Sequence, residues 1–252
     1  MPEYNEVRVI AEELKVLIGI QLSAYELDDD NKYTNFDKLT LPIVVTNVKS
    51  RGKKIMIELG DFLMIIGLGM TGGFMYNKTK YTHVSLMFDV LDLYYNDVRK
   101  FGRINVIEKN KYVPVGVDIY DAVKKENWSR ILKPKLLKRI IRDILLDQTI
   151  ISGIGNYLMT DILYHARIHP ERVANTINDK ELERIRVSTI YVVDLSYLGG
   201  GLTIKDFKTP NQKKGVYENL VYGQKIDEHG YQVRRKKVKG RMIHYVAELQ
   251  II

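Results

Sequence analysis

The stretch LLDQTIISGIGNYLMTDILYHARIHP, residues 145–170, decides how the second half of this chain is read. Ser152, Gly153, Ile154, Gly155 and Asn156 separate two apolar helical patterns, because closely spaced glycines do not readily continue a helix. Upstream, Leu136, Leu137, Ile140, Ile141, Ile144 and Leu145 form a helical stripe behind Pro134, with Lys135, Lys138, Arg139 and Arg142 on the remaining faces. Downstream, a second helix is expected from Asn156 to about Arg167, stopping before Pro170, since the residue ahead of a proline disfavours helical geometry. Free amides at the start of that helix suit a phosphate, with Asn156 as a further donor or a cap; the same residues also read as a plain linker between helices. Further helical patterns follow at about 178–195 and near 203–208.

The first half has another period. Val7, Ile10, Leu14 and Leu17 mark one face of a helix, punctuated by Gly19. From about 20 to 120 short β-like runs take over. Val84, Leu86, Phe88 and Val90 alternate with His83, Ser85, Met87 and Asp89, the period of a half-buried strand. Residues 54–59 and 62–66 read as strands joined by a Gly60-Asp61 turn. Such a succession predicts a sandwich or barrel. The last thirty residues return to strand-like runs around a basic turn, and strands give way to helices near 121–133.

Composition bounds the chemistry. The 252 residues contain 45% apolar residues, enough for a substantial core. The absence of cysteine excludes disulfides, thiolate metal sites and a cysteine nucleophile. No apolar run reaches membrane-spanning length, and the start MPEYNEVRV lacks the pattern of a secretion signal, so an intracellular, non-secreted protein is expected. A net charge of +8 suggests an anionic partner, nucleic acid being the common case.

Several short segments carry chemistry. With Met1 removed, the chain starts on a secondary amine, Pro2, of which about a quarter to a third is neutral near pH 7.4, against about 0.1% of an ordinary lysine. Such an amine attacks a sugar C1′ and becomes an iminium, an electron sink for elimination. Glu3 is then held beside the same carbon as proton donor or acceptor. The same pair also reads as a helix-starting proline and a favourable first-turn charge. Ser50-Arg51-Gly52-Lys53-Lys54 is a basic hairpin tip. The glycine-rich loop Gly67 to Gly73 fits neither nucleotide-binding fingerprint, but lets Met70 project at close quarters. Asp97-Val98-Arg99-Lys100-Phe101-Gly102 places an aromatic between cations and a glycine, as a wedge into a base stack would require; a partly buried Phe with basic neighbours is the other reading. The turn Arg234 to Arg241 is dense in cations and suits phosphate contacts.

Taken in order, these segments resemble the formamidopyrimidine-DNA glycosylase/endonuclease VIII family. MPEYNEV is similar to that family's MPE-x-PEV at Pro2, Glu3, Glu6 and Val7, and SRGKKIMIEL to its RR-x-K strand entry, which places Lys53 on the active-site lysine. GLGMTGGF resembles the H-L-G-M-[ST]-G loop, DVRKFG the D-x-RRFG loop, and residues 145–170 the helix–two-turn–helix. VYGQKIDEHGYQ followed by KGRMIHYVAELQ resembles the C-terminal finger, with Arg241 on the finger arginine. There are departures. Asn5 replaces a proline, and Gly67 replaces a histidine. Val246 and Leu249 stand at the second cysteine pair of a finger that usually holds zinc, and the region Asp227 to Gly230 is cysteine-free as well, as in the zincless endonuclease VIII-like branch. The segment from Thr209 to Tyr217, matching the cover over oxidised purine in bacterial members, is slightly short.

The resemblance implies an α+β protein: an N-terminal helix and β-sandwich domain over 1–121, a helix–two-turn–helix domain over 122–215 and a zincless β-hairpin finger over 216–252. It implies a monomeric base-excision repair glycosylase with β,δ-eliminating AP lyase activity on damaged DNA, duplex by expectation, without a small-molecule cofactor or metal. A damaged nucleotide would be flipped into a pocket between the two halves. Pro2 would be the nucleophile and Glu3 the proton-transfer group. Lys53, Asn156 and Arg241 would hold flanking phosphates, while Met70, Arg99 and Phe101 fill the vacated stack. Oxidised pyrimidines, ring-opened purines, hydantoins and 8-oxoguanine all fit. A catalytically inactive DNA-binding protein and a structural RNA-binding protein are the competing classes, and neither needs the intact Pro2-Glu3 start.

Overall fold

A computed structural model describes residues 2–28, 31–136, 138–203, 208–250 and 252. Leu137 and most of the helical pattern near 203–208 lie outside them. The chain divides into two compact units: Met1–Pro114 with Gly199–Val216, and Val115–Leu198 with Tyr217–Ile252. This grouping differs from divisions at 121 and 215 because residues 199–216 return to the first unit. The Leu202 N–H donates to Glu6 Oε1 at 2.7 Å, and the Asn211 side chain donates to Glu13 at 2.9 Å.

In the first unit, helix α1 spans Tyr4–Glu13. Glu3 is its N-cap, and the Glu3 N–H donates to the Glu6 carboxylate at 2.8 Å in a capping box. Val7, Ile10, Leu14 and Leu17 are all buried as their spacing predicts, each contributing about 1.5–3 kcal/mol. The last two lie in a tighter 3₁₀ turn, Leu14–Leu17. Nine strands follow: β1 (Gln21–Leu27), β2 (Tyr33–Thr34), β3 (Ile43–Arg51), β4 (Lys54–Leu59), β5 (Phe62–Gly67), β6 (Gly72–Met75), β7 (Thr82–Phe88), β8 (Asp92–Asp97) and β9 (Arg103–Glu108). Their order is β2-β9-β5-β4-β3-β1-β7-β8-β6, folded into a sandwich. Ile55, Ile57, Ile66 and Ile104 share one core with Leu86, Leu93 and Phe74. Strand β7 is less amphipathic than its alternation suggests. His83 and Ser85 are buried as well, because the His83 ring bridges Asp28 and the Asp97 carbonyl, and Val90 lies beyond the strand in solvent.

The second unit contains α2 (Ile119–Ala122), α3 (Lys125–Leu132), α4 (Ile141–Leu145), α5 (Asn156–His165) and α6 (Asp179–Leu198). Two short strands, β10 (Val117–Asp118) and β11 (Ile151–Ser152), pair in parallel, and β12 (Arg234–Val238) and β13 (Arg241–Tyr245) form a hairpin. The helical stripe expected from Leu136 is realised only from Ile141. Before it, backbone groups pair with a distant segment: Ala174 N–H donates to Arg139 O at 2.7 Å and Ile141 N–H to Arg172 O at 2.9 Å. These long-range bonds override the local helical pattern. Arg142, placed by the sequence on the remaining faces of that stripe, is buried, donating to Val238 O and to Asp143.

Helix α5 is buried on every side from Tyr157 to Tyr164, including Asp161. The Asp161 carboxylate accepts from Tyr217 Oη (2.8 Å) and from the backbone N–H groups of Leu220 (3.0 Å), Val221 (3.1 Å) and Tyr222 (3.2 Å). It thereby fixes the chain entering the hairpin. Burial pushes its pKa up to about 6 despite these four donors. Asp161→Asn is expected to cost about 2–4 kcal/mol, because an amide NH₂ must then face N–H donors. Urea titration of the full chain checks this. Since the folded pKa is raised, Asp161 contributes stability that is present below about pH 4 and lost as pH rises towards 6. The stability difference between wild type and the variant should therefore change across that window and flatten above it.

Candidate functional site

Two clusters collect the residues singled out from sequence, one in each unit. In the first, a cavity of about 300 Å³ is lined by Pro2, Val7, Lys53, Lys54, Gly67, Leu68, Gly69, Phe101 and Arg103. Capping by Glu3 positions Pro2 at the mouth of α1, and the turn between β3 and β4 positions Lys53. Among the described residues, three cationic side chains and no carboxylate line the space. Glu3 is only 2% exposed and follows Pro2 directly, without lining the cavity itself.

Beside this cavity, two loops interlock. Arg99 Nη1 donates to Met70 Sδ at 3.3 Å, and the Arg99 guanidinium lies 4.7 Å from the centre of the Phe101 ring. Met70 and Phe101 are both exposed. Apolar tips on an exposed loop pair, backed by a cation, are suited to stacking against bases. Asp97 organises the pair: one carboxylate oxygen accepts from Thr71 Oγ1 and from the Arg99 N–H, while the other accepts from the Gly102 N–H at 2.7 Å. Gly69, at φ +63°, packs so closely on Phe101 and Gly102 that a Cβ there would overlap their backbone.

In the second unit, Asn156 is the first residue of α5, after the N-cap Gly155. Its Nδ2 donates to Met242 O at 3.0 Å, so it is tied to the residue after Arg241. Gln148 braces the preceding glycine turn, donating to Ile154 O at 2.8 Å and accepting from the Gly153 N–H at 3.0 Å. Arg241 is exposed at the start of β13, after a two-residue turn in which Lys239 and Gly240 both have positive φ, the pairing a tight hairpin requires. Arg139, Arg142 and Lys239 border the same shallow basin as Arg241, with Asp143 and Asp147.

A model of the formamidopyrimidine-DNA glycosylase N-terminal domain matches residues 1–104, and a model of the same protein's helix–two-turn–helix domain matches residues 119–207. A formamidopyrimidine-DNA glycosylase of Rickettsia canadensis is 31% identical over 275 aligned positions covering 99% of each chain. The chain belongs to the formamidopyrimidine-DNA glycosylase family. A relative of the same name from Exiguobacterium is 28% identical, again over 99% of each chain. The fold is similar to that of the MutM (Fpg) protein from Thermus thermophilus, with a TM-score of 0.91, 27% identity and coverage of 99% and 98%. It is also similar to Lactococcus lactis Fpg in complex with DNA containing an abasic site, with a TM-score of 0.89, 25% identity and 99% coverage of both chains.

The positions of the second cysteine pair do not fit zinc: Val246 is fully buried against Tyr164, Val221 and Val233, with Leu220 and Leu249 packed alongside. At the first pair, Asp227 braces the turn. Its Oδ1 accepts from the N–H groups of His229 (3.0 Å) and Tyr231 (2.8 Å), and its Oδ2 accepts from Tyr164 Oη at 2.9 Å. Sequence reading missed Asp97, Asp161, Gln148 and Asp227 as organisers. Asp97 opens the DVRKFG motif, and Asp227 and Gln148 act on backbone groups two to six residues away, so these three are legible in principle; Asp161 acts on groups more than fifty residues away that only the folded chain brings near.

Proposed function

We propose that this protein is a base-excision repair DNA glycosylase that acts on damaged DNA and couples base removal to strand cleavage. The observation that carries this reading is Pro2 lining a cation-rich cavity with Lys53, in a chain that matches the family over its whole length. With Met1 removed, the Pro2 nitrogen attacks C1′. The N-glycosyl bond breaks, the base leaves with a proton, and ring opening gives an iminium between nitrogen and C1′. Loss of a C2′ proton then expels the 3′ phosphate, and a second elimination expels the 5′ phosphate. Hydrolysis of the remaining iminium frees the amine. Glu3 passes protons at the sugar ring oxygen and C2′. Lys53, Asn156 and Arg241 hold backbone phosphates, and Met70, Arg99 and Phe101 fill the stack vacated by the damaged nucleotide.

The finger serves without metal, a trait of the zincless, endonuclease VIII-like branch. Support comes from the cysteine-free sequence and from the apolar cluster and Asp227 brace that hold the hairpin. A chelator is expected to leave strand cleavage unchanged. Borohydride is expected to trap a covalent adduct between the full chain and a duplex carrying an abasic site, seen as a slow band on a denaturing gel. Active protein that nicks this duplex without giving an adduct would count against the amine mechanism. Protein that binds it without nicking would favour the inactive DNA-binding class.

A further inference from the structure

The cavity beside Pro2 holds two cations that the proposed chemistry leaves without a task. Strands β4, β5 and β9 run side by side, with Ile55 opposite Ile66 and Ile66 opposite Ile104, all three fully buried in the core. The next row along is Lys54, Gly67 and Arg103, with Gly67 opposite Arg103. Alternation along a strand therefore turns Lys54 and Arg103 away from the core and towards the cavity they both line. Gly67 separates them and offers no side chain. The Lys54 ammonium lies over it, in the place where a Cβ on residue 67 would stand. Partial desolvation and the nearby Arg103 guanidinium hold the Lys54 pKa below its usual value. Among the described residues neither cation makes an ion pair, and no carboxylate lines the cavity, whereas Lys49 and Lys109 on the neighbouring surface both pair with Glu58.

Two like charges converging on a glycine in a concave site need an anion to offset their repulsion. We propose that Lys54 and Arg103, straddling Gly67, form a phosphate seat that grips one backbone phosphate next to the sugar bonded to Pro2. This rests on the DNA glycosylase reading and adds residues to it. Gly67 is then the condition for the seat: any side chain there displaces the Lys54 ammonium.

The test uses the full chain and duplexes with a reduced, uncleavable abasic site, each carrying one neutral methylphosphonate at a different flanking position. Lys54→Gln and Arg103→Gln are each expected to weaken binding about 3–10-fold, and the double variant to lower the salt slope by about 0.9, the share of one phosphate. Gly67→Ala should weaken binding as Lys54→Gln does and add little to it. At one methylphosphonate position, wild type should lose affinity while the double variant loses none further. Thermal melting of each variant separates folding loss from binding loss. The methylphosphonate scan of wild type also stands on its own. If wild type binds and cleaves an ordinary abasic duplex, yet no position couples to Lys54 and Arg103, the seat is overturned and the glycosylase reading survives. If wild type neither binds nor cleaves, the glycosylase reading itself fails. A borohydride adduct mapping to Lys54 in the Pro2→Gly protein would also overturn the seat, by making Lys54 a nucleophile.

Discussion

Pro2→Gly is expected to lose strand cleavage by at least about 100-fold, a rise of roughly 2.7 kcal/mol in the barrier, while DNA affinity changes by less than about threefold. The reason lies in the nitrogen. A secondary amine can form only the cationic iminium with C1′, so the electron sink needed for elimination is present as soon as the bond forms. The primary amine of glycine yields an imine that is neutral unless protonated. Glycine also loses the ring that lines the cavity. The proposed phosphate contacts elsewhere are untouched, so binding is expected to persist. Single-turnover nicking of an abasic duplex, read with a binding titration on the uncleavable analogue, checks both halves. Equal loss of binding would mean that Pro2 is only a structural start to α1. Undiminished nicking would move the nucleophile elsewhere.

The second large effect falls on the hairpin. Arg241→Ala is expected to weaken DNA binding about 10–100-fold, to reduce cleavage at subsaturating DNA by a similar factor and to lower the salt slope by about 0.9. The tight turn at Lys239-Gly240 presents Arg241 in solvent, and Asn156 holds the adjoining Met242 carbonyl. The hairpin backbone therefore carries the guanidinium at a fixed point of the turn. Arg241→Lys should recover only part of the loss, since a lysine keeps the charge but not the two-pronged donor geometry. If alanine changed cleavage but left both affinity and salt slope unaltered, Arg241 would not be a phosphate contact.

Much of this architecture is legible along the chain. Val7, Ile10, Leu14 and Leu17 locate the first helix, the 54–59 and 62–66 runs give a hairpin with its Gly60-Asp61 turn, and the glycines ahead of Asn156 mark a helix start. Each is a local periodicity or a local breaker, and neighbouring residues suffice to read it. The helix expected from Leu136 begins only at Ile141 for the opposite reason. Its apolar spacing is helical, but residues 139–142 spend their backbone groups on residues 170–174, a pairing that no window of sequence displays. Arg142 follows the same rule: its burial depends on the hairpin turn, whose Val238 carbonyl accepts its hydrogen bond from nearly a hundred residues away.

By itself the sequence determined the candidate groups and their order: a proline after Met1, a lysine at a hairpin tip, an aromatic between cations and a glycine, a glycine turn before a helix, a basic turn near the end and no cysteine. Those are properties of residue type and spacing. Only the tertiary structure decided which groups share a site. It set Pro2 beside Lys53 and the Gly67 gap, joined Met70 to Arg99 and Phe101 through Asp97, and anchored the approach to the finger on Asp161. The physical reason is range. Periodicity is set by neighbours a few residues apart, whereas a buried carboxylate or an open glycine acquires its meaning from strands and loops tens of residues away.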